Sequence, residues 1–142
     1  MNGNEILLIE DNADDVFITR RAFVRSQVTN DLVVARDGPA ALDLLLSPQP
    51  GKALHPALVL LDLSLPKMSG LELLDQLRDD PRTASLPVGV LTSCSADEAW
   101  VCGHRSGVNV FVRKPVEFED LSLALTRLGL SWTLTVRASV AS

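Results

Sequence analysis

The sequence predicts an α/β fold: a doubly wound, five-stranded parallel sheet in the common order 2-1-3-4-5, with five helices and a C-terminal extension. Three observations carry this expectation. Short, continuous apolar runs alternate with helix-like segments along the chain, as a parallel sheet covered on both faces requires. Nearly every run stops at acidic, hydroxyl or basic residues. The length of 142 residues, with 46% hydrophobic and 22% charged, suits one domain with a single core.

Ile6-Leu7-Leu8-Ile9 is a buried-strand run that ends in Glu10-Asp11-Asn12. A helix is expected from 13 to about 27. Leu32-Val33-Val34-Ala35 is the second strand. Asp37-Gly38-Pro39 then opens a helix that continues from 40 to 46, with Pro39 in the first turn where its fixed φ helps. Residues 47–56 hold three prolines and a glycine, so they form a loop. The third strand, 57–61, stops at Asp62. After a loop containing Pro66, Ser69 and Glu72 have capping-box spacing and start a helix to about Asp79, broken by Asp80-Pro81. Val88-Gly89-Val90-Leu91 is the fourth strand, ending at Thr92-Ser93. Ser95 and Glu98 open a helix to about Ser106. The fifth strand, 108–112, ends at Arg113-Lys114-Pro115, and a last helix covers roughly 117–128.

Composition excludes several functions. Lys and Arg number 13 against 18 Asp and Glu, a net charge of −5, so no basic footprint for nucleic acid exists. Aromatics are 4% with no Tyr, which disfavours a base-stacking platform. The longest apolar run, 57–61, is too short to span a bilayer, and no signal-type segment opens the chain. A cytoplasmic location without membrane contact is the expectation. Cys94, Cys102, His55 and His104 lack the spacing of a disulfide framework or a zinc site.

The chemistry lies at the carboxyl ends of the strands. Strand one ends in Glu10-Asp11, strand three in Asp62, strand four in Thr92 and strand five in Lys114. In doubly wound sheets ligands bind beyond these ends, where the strand order reverses. In order 2-1-3-4-5, three carboxylates converge there, flanked by a hydroxyl and an ammonium. Clustered carboxylates repel, and a hard divalent cation relieves them. Oxygen ligands suit Mg²⁺, with Mn²⁺ as a substitute. Such a set matches a phosphoryl group in transfer, with Asp62 as the nucleophile that forms an acyl phosphate. Acids at strand ends also serve as plain helix caps, and Asp14 and Asp15 are read that way.

These residues resemble the receiver domain of two-component response regulators, the CheY-like branch of the flavodoxin-like folds. The resemblance runs over roughly residues 4–128. It rests on Ile6-Leu7-Leu8-Ile9-Glu10-Asp11, Leu60-Leu61-Asp62-Leu63-Ser64-Leu65-Pro66 with Gly70, Leu91-Thr92-Ser93 and Phe111-Val112-Arg113-Lys114-Pro115. It implies that Asp62 accepts a phosphoryl group from a sensor histidine kinase. It implies that Glu10, Asp11, Asp62 and the backbone carbonyl of Ser64 hold the metal. It further implies that Thr92 and Lys114 bind phosphoryl oxygens, that Phe111 is the switch aromatic, and that Ser64 and Cys94 tune phosphate lifetime. Pro115 is a cis-proline candidate, an isomer that only X-Pro bonds adopt cheaply. Phosphorylation would draw Thr92 inward and let Phe111 follow, repacking the surface of the fourth helix, fifth strand and last helix. Phe111 as ordinary core stays open beside this.

Two features point to a subfamily. One is the Pro-rich loop 47–56. The other is the tail 129–142, where Leu130, Trp132, Leu134 and Val136 alternate with polar residues. This period-two apolar stripe must pack somewhere. It is either a dimer arm, giving a homodimer, or a segment folded back on the last helix. Both features resemble the stand-alone regulators that partner bacterial and cyanobacterial phytochromes. The receiver is thus expected over 1–128, with an extension too short for a DNA-binding or enzymatic output domain. The output would be a surface read by another protein, such as a downstream phosphorelay protein, and by the resemblance kinase recognition would use the first helix and nearby loops, where Phe17, Arg20, Arg21 and Phe23 sit.

Three alternatives stay beside this reading. An aspartyl-phosphate phosphatase of the haloacid dehalogenase type wants a second acid two residues after the nucleophile, where this chain has Ser64. A pseudo-receiver that takes no phosphate is opposed by the intact acids, threonine and lysine. A flavodoxin-type cofactor binder lacks its phosphate loop after strand one. The expectation is a phosphoacceptor rather than an enzyme, at most labelling itself from small donors with Mg²⁺ and losing the phosphate again.

Overall fold

The computed structural model describes residues 5–26, 28–92 and 108–128. In chain order these form β1 (Ile6–Ile9), α1 (Ala13–Arg25), β2 (Leu32–Ala35), α2 (Gly38–Leu45), β3 (Leu58–Asp62), α3 (Gly70–Asp79), β4 (Val88–Thr92), β5 (Val110–Arg113) and α4 (Phe118–Leu128). The five strands are all parallel, in the order β2-β1-β3-β4-β5. The helix expected from Ser95 to Ser106 and the tail 129–142 lie outside the described residues.

Alternation along β1 splits the core. Ile6 and Leu8 face one side with Ala22 and Phe23 of α1 and Leu121 of α4. Leu7 and Ile9 face the other side with Ala41 and Leu45 of α2 and Leu73, Leu74 and Leu77 of α3. All four β1 residues are completely buried, each contributing roughly 1.5–3 kcal/mol of burial. Continuous apolar strands therefore result from helices on both faces.

Caps start the helices where the sequence places them. Asn12 Oδ1 accepts from the N–H groups of Asp14 (2.8 Å) and Asp15 (3.2 Å). Asp37 Oδ1 accepts from Ala40 N–H at 2.7 Å, and Ser69 Oγ from Glu72 N–H at 3.2 Å. Boundaries differ slightly from expectation. α1 stops at Arg25, where the Ser26 N–H bonds Ala22 O at 2.9 Å. α2 begins at Gly38 because Pro39 already sits in its first turn. Asp62 and Thr92 are the last residues of β3 and β4, paired in register with Leu91 and Arg113. Leu54, in the Pro-rich loop, is buried in the core, and its N–H bonds Leu44 O at 2.7 Å.

β5 begins at Val110 rather than Val108, and Asn109 is the reason. Its side-chain oxygen accepts from Val88 N–H (2.8 Å) while its own N–H bonds Val88 O (3.0 Å). Arg78 of α3 donates to the same Asn109 Oδ1 at 3.0 Å and to the carbonyls of Ala84 (2.9 Å) and Leu86 (2.8 Å). Burial pulls the Arg78 pKa down.

Candidate phosphoryl-acceptor site

The parallel sheet delivers Glu10, Asp62, Thr92 and Lys114 to one end. β1 and β3 are neighbours there, so the acidic residues after β1 face the acid closing β3. Glu10 and Asp62 are almost fully buried, at 1% and 5% exposure, and Asp11 is exposed. These three residues offer carboxylate oxygens that lie within 4.8 Å of one another. A cleft of about 320 Å³ lined by Glu10, Asp11, Ala13, Val16, Arg20, Val34 and Arg36 opens beside them.

The Lys114 ammonium sits among carboxylates. Its Nζ lies 2.7 Å from Glu10 Oε1, 3.0 Å from Asp15 Oδ2 and 3.2 Å from Asp62 Oδ2. Its backbone N–H bonds Thr92 O at 2.7 Å, which ties the ends of β4 and β5 together. The Lys114–Pro115 peptide is cis. Burial disfavours the charge on Lys114, but the bonds to Glu10 and Asp15 and the charge of Asp62 outweigh it and raise its pKa. Burial pushes the Glu10 carboxyl up to about 7, aided by a hydrogen bond with Asp62 and opposed by Lys114. One ammonium thus fails to neutralise the carboxylates around it. Unit charges 4 Å apart interact by about 4 kcal/mol at an effective dielectric constant of 20, so the excess negative charge is costly. A hard divalent cation fits this donor set, which is all oxygen and partly open to water.

The loop after β3 is shaped by close approach. The Ser64 N–H donates to Asp62 Oδ1 at 3.2 Å, and the Gly70 N–H bonds Leu63 O at 3.2 Å. A Cβ on Gly70 would stand 2.7 Å from both Asp62 O and Leu63 Cα. Only glycine lets the start of α3 press against the strand end that carries Asp62.

Thr92, the expected hydroxyl, is buried, 1% exposed, at the end of β4. Phe111 is half-buried on β5 beside the core face shared with α2 and α3. Ser64 is exposed. Cys94 and the stripe Leu130, Trp132, Leu134 and Val136 lie outside the described residues. Of the α1 residues where kinase recognition is expected, Phe17 is 64% exposed whereas Phe23 is core at 4%. Asp15, read from sequence only as a helix-start acid, is instead the third carboxylate on Lys114. It stands 99 residues away along the chain, and only the sheet topology brings the two together.

A 2-1-3-4-5 parallel sheet with a carboxylate cluster, threonine and lysine at its carboxyl edge is the arrangement of a receiver-type fold. The chain belongs to the response regulator receiver domain family, whose model matches residues 6–126. It is 39% identical over 127 residues to the probable methanogenesis regulatory protein FilR2 of Methanothrix harundinacea (strain 6Ac), covering 89% of this chain and 82% of that protein. It is 31% identical over 134 residues to response regulator Rcp1 of Synechocystis sp., covering 92% and 90%; a solved structure of Rcp1 is the Mn(2+)-bound form. The bacteriophytochrome response regulator AtBRR is a close structural neighbour, with a TM-score of 0.84, 40% identity, and coverage of 96% of this chain and 98% of that one. The family is one of phosphoacceptors in two-component signalling. Among the described residues, no helix is long and apolar enough to cross a membrane.

Proposed function

We propose that this chain is a response regulator that accepts a phosphoryl group on Asp62 from a sensor histidine kinase of the phytochrome type. The observation that carries this reading is the Lys114 ammonium 3.2 Å from Asp62 Oδ2, beside the Glu10, Asp11 and Asp62 carboxylates. The 40% identity to AtBRR, a bacteriophytochrome response regulator, supports the phytochrome part.

Glu10, Asp11, Asp62 and the Ser64 carbonyl would hold Mg²⁺, or Mn²⁺ in its place. Held there, the metal would neutralise charge on the incoming phosphoryl oxygens. An Asp62 carboxylate oxygen attacks phosphorus and the bond from phosphorus to the donor breaks, the donor keeping that electron pair. Lys114 and the Thr92 hydroxyl bind equatorial oxygens as charge gathers on them. Thr92 moves toward the new acceptors, and Phe111 takes up the space left. Ser64 and Cys94 border the phosphate and set how fast water removes it. The receiver spans 1–128, with 129–142 as a dimer arm on a second copy. The resulting surface is read in the cytoplasm by another protein, such as a phosphorelay partner.

The test is labelling with acetyl phosphate and Mg²⁺, followed on phosphate-affinity gels. The protein should be labelled and Asp62→Asn should not. Labelling that survives in Asp62→Asn removes Asp62 from its role. Phosphotransfer from candidate kinases then identifies the partner, and a phytochrome kinase should transfer fastest.

A further inference from the structure

Lys114 has three ammonium hydrogens and meets three carboxylates, those of Glu10, Asp15 and Asp62. Glu10 and Asp62 belong to the acidic cluster. Asp15 does not. When a cation and a phosphoryl group engage Glu10 and Asp62, Asp15 is the carboxylate left to Lys114 alone.

Asp15 is built to stay in place. Its N–H donates to the Asn12 side chain at 3.2 Å. Its carbonyl accepts from the Thr19 hydroxyl at 2.8 Å, and Thr19 is buried. The backbone of Asp15 is thus held on both sides within the first turn of α1. The pair is also sheltered, with side-chain exposures of 16% for Lys114 and 29% for Asp15, which spares it much of the screening that makes exposed ion pairs weak. Lysine carries its charge on a flexible four-carbon stem, and a fixed carboxylate at its tip selects one direction.

We infer that Asp15 is a positioning residue for phosphoryl transfer, anchoring the Lys114 ammonium over Asp62 by one hydrogen and leaving the other two for phosphoryl oxygens. The inference rests on the reading of Asp62 as the phosphoacceptor. It differs from an ordinary helix-start acid, which would act through the helix dipole whether or not Lys114 is present.

A double-mutant cycle tests it. With acetyl phosphate and Mg²⁺, Asp15→Ala should lower the maximal labelling rate by about threefold or more and leave the Mg²⁺ titration midpoint unchanged. Asp15→Asn, which keeps an acceptor at the same reach, should recover most of the rate. On a Lys114→Met background, Asp15→Ala should change nothing further. Equal slowing on both backgrounds, no slowing, or faster labelling overturns the anchor. A second readout needs no phosphate: the ¹⁵N signal of the Lys114 ammonium in the Mg²⁺-bound protein should be sharp and should vanish in Asp15→Ala. Its persistence there overturns the anchor. If the natural protein takes no phosphoryl group on Asp62, the proposed function fails, and the ammonium signal still decides the anchor.

Discussion

Asp11 differs from its neighbours in what it lacks. Lys114 is bound to Glu10, Asp15 and Asp62, and Asp11 stands exposed at the cleft. Glu10 and Asp62 therefore face the lysine as well as any cation the cluster would hold, whereas Asp11 would serve the cation alone. Asp11→Ala should lower Mg²⁺ affinity by about tenfold or more, since even residues behind the ligands cost that much. Its unfolding midpoint in EDTA should stay that of the natural protein. An unchanged Mg²⁺ titration takes Asp11 out of the ligand set. Most of these residues were legible because each closes an apolar run, and a strand end in a parallel sheet is where ligands bind. Asp15 was not legible as a lysine partner. Its local surroundings are those of a helix start, and its partner comes from the other end of the chain.

At the scale of elements, the start of α3 separates two kinds of contribution. Ser69 supplies a cap bond at 3.2 Å, so Ser69→Ala should cost about 1 kcal/mol and leave labelling of Asp62 intact. Gly70 supplies absence of volume. A Cβ there meets backbone atoms of Asp62 and Leu63 that cannot swing aside as a side chain would. Gly70→Ala should cost about 1–3 kcal/mol and slow labelling, because the backbone that yields includes the strand end carrying Asp62. Urea unfolding together with acetyl phosphate labelling measures both. A Gly70→Ala protein as stable and as reactive as the natural one would show that the close approach is slack. Strands and caps could be read from periodicity and capping residues. Leu54 could not, because a lone apolar residue in a Pro-rich loop carries no period. The true start of β5 was equally hidden, since the Asn109 side chain takes the place of a ladder bond.

For the whole molecule, the site and the apolar tail are separable. The carboxylates, threonine and lysine of the site all lie within the described residues, whereas the period-two stripe beyond Leu128, proposed to serve assembly, lies outside them. Deleting 129–142 should convert a dimer to a monomer by light scattering while Asp62 still labels. A monomer with the tail present would discard the dimer arm and leave the folded-back alternative. The net charge of −5 has part of its source at the carboxyl edge of the sheet, where the surplus of acid is what a cation would balance.

Arg78 acts at the opposite edge. Together with Asn109 it ties the segments leading into β4 and β5 to the end of α3. In β5 the far end is held as well, where the Lys114 N–H bonds Thr92 O and Arg113 pairs in register with Thr92, so the strand carries Lys114 to the site fixed at both ends.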